Sequence, residues 1–129
     1  MKRVALIFII AFLLNLVWEN LHSLLYDNYM GGEITEFILL RATLADAFSI
    51  TIVALPFVFL PFLKGRSWIM ILVLVAVSVG IELYALETAR WTYNSFMPII
   101  PVVGVGLTPA VQLGLLGYAS FKTAEHVIQ

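Results

Sequence analysis

The chain has no cysteine, few charged residues and no extended basic cluster. The absence of cysteine among its 129 residues excludes disulfide bonds, thiolate metal sites and a cysteine nucleophile. Charged residues make up 12% of the chain, whereas soluble domains carry about a quarter. The net charge of −1 gives no electrostatic basis for binding nucleic acid. Because 62% of the residues are hydrophobic, we expect one membrane-embedded domain over residues 1–129.

Four stretches are apolar and long enough to form transmembrane helices, which need about 20 residues each. They cover residues 4–25, 36–63, 68–89 and 99–121. No small-x-small cleavage site follows the first stretch, so we interpret it as a retained helix and not as a signal peptide. The predicted fold class is therefore all-α, an integral membrane bundle of four transmembrane helices.

The basic residues beside these stretches predict the direction of each helix. Those that lie at the span ends are Lys2, Arg3, Lys64, Arg66 and Lys122. Positive residues stay on the cytoplasmic side of a membrane. The pattern predicts an N-in, C-in topology in which the loops at 26–35 and 90–97 face outward.

The polar residues within the apolar stretches fall toward one predicted membrane face. They are Asn15, Glu19 and His22 late in the first span, Arg41 and Asp46 early in the second, Glu82 and Arg90 late in or just after the third, and Gln112 in the fourth. Successive spans run in opposite directions, so these positions share the outer leaflet. Ionisable groups at membrane depth are costly and usually face a bundle interior or a wet cavity, which predicts a polar pocket there.

Helical geometry adds a depth to this pocket. With a rise of ~1.5 Å per residue, Glu19 and Glu82 lie roughly 10 Å below the outer ends of their helices, and Asp46 about 14 Å below. We expect these three acids to form one layer, with the basic side chains nearer the mouth. Three carboxylates so close in a dry bundle should not all be ionised.

Such a layer is typical of general acid catalysis, and its outer position suits a lipid or isoprenoid substrate. The hypothesis assigns two groups of residues. The catalytic candidates are Glu19, Asp46, Glu82 and His22, and the substrate-binding candidates are Asn15, Arg41, Arg90, Trp91, Tyr93 and Gln112. No cofactor can be named from the sequence.

Other interpretations stay open at this point. Glu19-x-x-His22 with nearby acids could ligate one metal ion, although di-iron bundles need two such motifs and we assign no metal ligand. The acids could carry protons or cations in a small oligomeric transporter. They could also be a structural network that fixes helix register in a non-catalytic membrane subunit.

The fourth span carries small residues and prolines that bear on packing. Gly106, Ala110 and Gly114 recur at four-residue spacing, which allows close approach of another helix. We favour packing within the bundle, with a homo-oligomer as the alternative. Pro109 inside the span predicts a kink that could open the pocket.

Several segments carrying these polar residues resemble a family of small bacterial four-helix inner-membrane proteins to which no activity is assigned. The matching segments are Asn15 to His22 with Leu25-Tyr26, Arg41-Ala42 with Asp46-Ala47, Arg90 to Tyr93 with Met97-Pro98, and Gly104 to Pro109 with Gln112. The resemblance covers most of the chain and implies a multi-pass protein of the bacterial inner membrane.

A fainter resemblance is to the small membrane lycopene cyclase domains. Their Trp-x-Tyr element is matched by Trp91-x-Tyr93, but the segment after Pro98 has no glutamate to supply the acid of that family. The two aromatic residues also fit an interfacial aromatic belt, the interpretation that we favour.

Overall fold

The computed structural model describes residues 1–128, and the chain is 73% helical. The described residues form four α-helices and a two-stranded antiparallel sheet. The helices are α1 (Lys2–His22), α2 (Glu36–Phe59), α3 (Trp68–Glu87) and α4 (Leu107–Ile128), and the strands are β1 (Tyr26–Tyr29) and β2 (Trp91–Tyr93). Short 3₁₀ turns at Ser23–Leu25 and Pro61–Leu63 follow α1 and α2.

Three of the helices, α1, α2 and α3, are long and apolar enough to cross a membrane, which indicates a membrane protein. Each of them buries a stripe of five residues at three- and four-residue spacing. Large apolar side chains cover their outer faces, as Leu13, Phe48 and Leu72 illustrate. A helix that is apolar all round fits a lipid environment.

The fourth helix is the most enclosed element of the bundle. Ten of its residues are buried, twice as many as on any other helix. It packs along α3 and α1, and α1 packs in turn along α2. By contrast, α2 and α3 contact each other sparsely. The bundle therefore has a diagonal formed by α1 and α4, and an open seam between α2 and α3.

The two ends of the bundle differ in composition. Arg3 of α1 donates a hydrogen bond to Glu125 of α4 at 2.9 Å, so both termini lie at one end, which we call the termini end. A cluster of buried apolar residues from all four helices lies next to it: Ile7, Ala11, Ile50, Ala54, Met70, Leu74, Phe121 and Ala124. The two-stranded sheet caps the other end, which we call the sheet end, and the buried acids and the buried histidine lie beneath it.

The mostly helical fold predicted from the sequence is confirmed, but the two-stranded sheet was not predicted. Its strands follow α1 and α3, pairing Tyr26 with Tyr93 and Tyr29 with Trp91. Backbone groups in these two outer segments bond to each other across about 65 residues of sequence, a pairing that helical periodicity cannot reveal.

Two predicted span boundaries are also corrected. The second helix ends at Phe59, because Leu60 is extended and Pro61 begins a 3₁₀ turn. The last helix begins at Leu107 and continues to Ile128, instead of covering 99–121. Pro109 is thus the third residue of α4, where a missing N–H disturbs no helical bond. The kink predicted there does not form.

The small residues of α4 face its neighbours within the chain. An added Cβ at Gly114 would lie 2.9 Å from Val75 Cγ2 and 3.3 Å from the Ile71 carbonyl oxygen. Ala110 is buried as well, and Gly106 lies against the side chain of Met97. Gly106, Ala110 and Gly114 therefore pack against other parts of the same chain.

Candidate functional site

A cavity of about 460 Å³ lies beneath the sheet, in the seam between α2 and α3. Residues of α1 and α4 form its floor, among them Glu19, His22 and Gln112. Its side walls are mostly apolar and include Ile38, Leu39, Ala42, Ala45, Ile81 and Leu113. Cavities of this size and polarity are typical of small-molecule sites. Because α2 and α3 contact each other sparsely, the seam faces the surface that lipid would cover.

One side chain, Gln112 of α4, joins the polar residues on the cavity floor. Its Nε2 nitrogen donates to Asn15 Oδ1 at 2.9 Å, to Glu19 Oε1 at 2.8 Å and to Asp46 Oδ2 at 2.8 Å. Asn15 is held in turn by a bond from its Nδ2 to the Ala11 carbonyl oxygen at 2.7 Å. The predicted residues Asn15, Glu19, Asp46 and Gln112 thus meet at one point, contributed by three helices.

The two carboxyl groups in this network differ in exposure. Glu19 is buried and its second oxygen lies 3.0 Å from His22 Nε2, whereas Asp46 is half-buried and lines the cavity. A primary amide nitrogen carries only two protons, yet three oxygens surround that of Gln112. Glu19 and Asp46 therefore compete for one donor, and two carboxylates on one donor repel each other when both are ionised in a low-dielectric interior.

The third predicted acid, Glu82, belongs to a different set of bonds. Its Oε1 accepts from the Tyr26 hydroxyl at 2.8 Å, and its Oε2 accepts from Trp91 Nε1 at 2.7 Å and the Tyr93 hydroxyl at 3.1 Å. The expected single layer of acids is therefore split. Glu19 and Asp46 share one donor, while Glu82 fastens the sheet to α3, although all three side chains line the same cavity.

The tyrosine hydroxyls that bind Glu82 are held in their neutral form. Burial, and after it the negative charge of Glu82, raises the pKa of Tyr26 well above its usual value. Burial and the same carboxylate raise the pKa of Tyr93, against the opposing effect of the Gly106 N–H, which donates to the Tyr93 hydroxyl at 3.0 Å. Tyr26 and Tyr93 therefore serve as hydrogen-bond donors throughout the neutral pH range.

The two arginines predicted at the mouth occupy different places. Arg41 lines the cavity and is exposed, and within residues 1–128 it has no hydrogen-bonded or ion-paired partner. Arg90 does not line the cavity. Its guanidinium lies 5.4 Å from the centre of the Tyr84 ring, on the exposed side of the bundle. Arg90 therefore lies apart from the other predicted residues that line the cavity.

Sequence reasoning assigned Tyr26 no role in the site, and it gave Ser78 none either. Tyr26 falls on the polar stripe of α1, which was a usable signal, but only the sheet brings its hydroxyl to Glu82. Ser78 lies one turn before Glu82 on α3, lines the cavity, and its buried hydroxyl has no partner among the described residues. The Nδ1 atom of His22 is likewise buried without a partner in residues 1–128.

The donor set gives no metal centre within residues 1–128, since no three His, Asp or Glu side chains there are arranged to hold a metal ion. No family model, no curated protein and no solved structure matches this chain. Any function proposed for the chain therefore rests on the site alone.

Proposed function

We propose that this chain is a membrane enzyme that performs acid–base chemistry on a lipid or isoprenoid held in the cavity between α2 and α3. Asp46, which faces the cavity, would deliver the proton that it shares with Glu19. His22 would receive or return that proton through Glu19, since its Nε2 lies 3.0 Å from the Glu19 carboxyl group. A proton given to the substrate and recovered from a neighbouring atom balances without an oxidant or a second substrate, as in an isomerisation.

The observation that carries this proposal is the meeting of two carboxyl oxygens at one nitrogen. Both Glu19 and Asp46 lie 2.8 Å from Gln112 Nε2, at the floor of a cavity with apolar walls. Environments that force two carboxyl groups to share a proton produce general acids. The apolar walls and the seam that opens sideways suit a substrate that is itself dissolved in the membrane.

The proposal extends to the placement of the chain in a bacterial inner membrane. In this placement, α4 crosses the membrane as a fourth span, because it runs antiparallel to α1 and α3 and packs against both. The basic residues at the termini end would then be cytoplasmic, and the cavity would lie in the outer leaflet.

Transport is less well supported than catalysis. A transporter needs a polar route to both faces of the membrane, and the polar floor ends at Asn15. Beyond it toward the termini end, the buried side chains of all four helices are apolar apart from that of Ser120, whose hydroxyl donates to the Leu116 carbonyl oxygen within α4. No acid or histidine of residues 1–128 is buried in that half of the bundle.

A deuterium experiment tests the enzyme proposal with no substrate chosen in advance. The purified protein is incubated in heavy water with vesicles of total bacterial lipid. The lipids are then returned to ordinary water, and their masses are measured by mass spectrometry. A carboxyl group that protonates carbon leaves deuterium in C–H bonds, which do not wash out. We expect one lipid class to gain deuterium with the unsubstituted protein.

The matched variants are Asp46→Asn, Glu19→Gln and the control Glu87→Gln, which removes an exposed acid outside the cavity. Removing a general acid slows a reaction about 10²- to 10⁴-fold, so the first two variants should lose incorporation while Glu87→Gln keeps it. Normal incorporation by a folded Asp46→Asn protein, or none by the unsubstituted protein, would contradict the proposal. If the two variants lower the melting temperature and leave incorporation unchanged, the network is structural.

A further inference from the structure

Arg41 is the one charged side chain of the cavity that has no partner within the described residues. The acids of the cavity all accept hydrogen bonds: Glu19 from Gln112 and His22, Asp46 from Gln112, and Glu82 from Tyr26, Trp91 and Tyr93. The guanidinium of Arg41 lies over the ring of Phe37, 6.0 Å from its centre, and the ring carries no net charge to neutralise it. The charge left for a ligand to neutralise is therefore positive.

The position of Arg41 relative to the carboxyl pair sets the shape of that ligand. Arg41 lies five residues before Asp46 on α2, and a helix rises ~1.5 Å per residue, so the two lie about 7 to 8 Å apart along the axis. Arg41 is nearer the sheet end and exposed, whereas the carboxyl pair is deeper. Between them the lining is apolar, with Ala42 and Ala45 on the same helix.

We propose that the cavity binds an amphiphile with an anionic head group, a phosphate ester or a carboxylate, which Arg41 holds at the rim. The planar guanidinium offers two parallel N–H donors to either oxyanion. The apolar tail then runs down the seam past Asp46, which places the reacting atoms in the part of the tail nearest the head group. The position given to the reacting atoms rests on the proposed function. The binding of the head group by Arg41 does not.

Fluorescence of Trp91, which lines the cavity, measures the binding directly. Replacing Trp18 and Trp68 by Phe leaves Trp91 as the only tryptophan of the chain, because the sequence contains three. The protein is placed in phosphatidylcholine vesicles that contain a small fraction of a lipid with brominated tails. In one series that lipid is phosphatidic acid, and in the other, at equal fraction, it is phosphatidylcholine. Bromine quenches tryptophan on contact, so the two curves compare head groups with the same tail.

We expect brominated phosphatidic acid to quench Trp91 at about tenfold lower fraction than brominated phosphatidylcholine, the order of one bidentate charge-assisted contact. Arg41→Gln should abolish that preference. Arg90→Gln removes an equal charge near the same end of the bundle but outside the cavity, and should keep it. If Arg41→Gln fails to fold, Arg41→Lys, which keeps the charge without the planar fork, should show an intermediate preference.

Three results overturn the inference: equal quenching by both lipids, equal loss of preference in both arginine variants, or displacement of the brominated lipid by inorganic phosphate, which would identify a free anion as the ligand. The same measurement on Asp46→Asn separates the two proposals. A preference retained by Asp46→Asn and lost in Arg41→Gln supports head-group binding even if no lipid gains deuterium.

Discussion

At the scale of single residues, the site depends on Gln112 more than on any acid. Its one nitrogen contacts oxygens of Asn15, Glu19 and Asp46, and so joins α4 to α1 and α2. Removing it leaves three acceptor oxygens, two of them on buried residues, without this donor. In water-soluble proteins each would cost about 1 to 3 kcal/mol, but hydrogen bonds between membrane helices average about 0.6 kcal/mol.

We therefore expect Gln112→Leu to lower the free energy of unfolding by about 1 kcal/mol, the sum of the two membrane hydrogen bonds that one amide group can donate at a time. Unfolding in mixed micelles with increasing denaturing detergent measures this. Asn20→Ala is the control, because Asn20 is exposed and its bond to Glu36 is 3.2 Å long, and its effect should stay within about 0.5 kcal/mol. Equal effects in the two variants would show that the network adds no stability.

The level of the polar residues could be predicted from the sequence, but their partners could not. Antiparallel threading and the rise per residue are enough to place Glu19, Asp46 and Glu82 toward one end of the bundle. The separation of Glu82 from the other two depends on Trp91 and Tyr93, which the sheet brings to it. The two arginines also could not be distinguished from the sequence: Arg41 lies on α2 and lines the cavity, whereas Arg90 follows the end of α3 and does not.

At the scale of the elements, close approach of α3 and α4 explains the small residues of α4. Gly114 leaves room for the backbone of α3 at Ile71 and for the side chain of Val75. On α3 itself, Gly80 faces open space, since an added Cβ would meet nothing within 4 Å. The two glycines therefore differ in whether the packing of this helix pair requires them.

Gly114→Ala should lower the free energy of unfolding by about 1 to 3 kcal/mol, because the added methyl group forces the two helices apart. Gly80→Ala should leave it unchanged or raise it by up to about 1 kcal/mol, the difference in helix propensity. Thermal unfolding followed by circular dichroism compares the two. A Gly114→Ala protein as stable as Gly80→Ala would contradict the packing described for α4.

The lengths of the apolar stretches predict the boundaries of α1 and α3 closely and those of α4 poorly. Residues 98–106 are as apolar as a helix, but Val102 and Gly104 have positive φ angles and Ile99 pairs with Gly106 as an isolated bridge. Composition alone cannot distinguish such a loop from the first turns of a span. The prolines at 98 and 101 were the available signal, since helices usually end or begin near them.

At the scale of the whole molecule, the termini lie together and the cavity lies at the opposite end. The bond between Arg3 and Glu125 fixes the first relation, and the sheet over the floor residues fixes the second. If α4 crosses the membrane as proposed, Val127 and Glu33 lie on opposite sides of it. If α4 rests at the surface, they lie on the same side.

The absence of native cysteine makes this easy to measure. Glu33→Cys and Val127→Cys replace exposed residues at the two ends. With a membrane-impermeant maleimide added to spheroplasts, we expect Glu33→Cys to be labelled at once and Val127→Cys only after the membrane is permeabilised. Simultaneous labelling of both would rule out the fourth span.

The sparse contact between α2 and α3 also determines which ligand concentration matters for this protein, that in the membrane or that in the buffer. A molecule that enters sideways through that seam comes from among the acyl chains and never from the buffer. Its supply then depends on its mole fraction in the bilayer, so inert lipid dilutes it and a larger volume of buffer does not. The occupancy of the cavity would then depend on the lipid composition of the surrounding membrane.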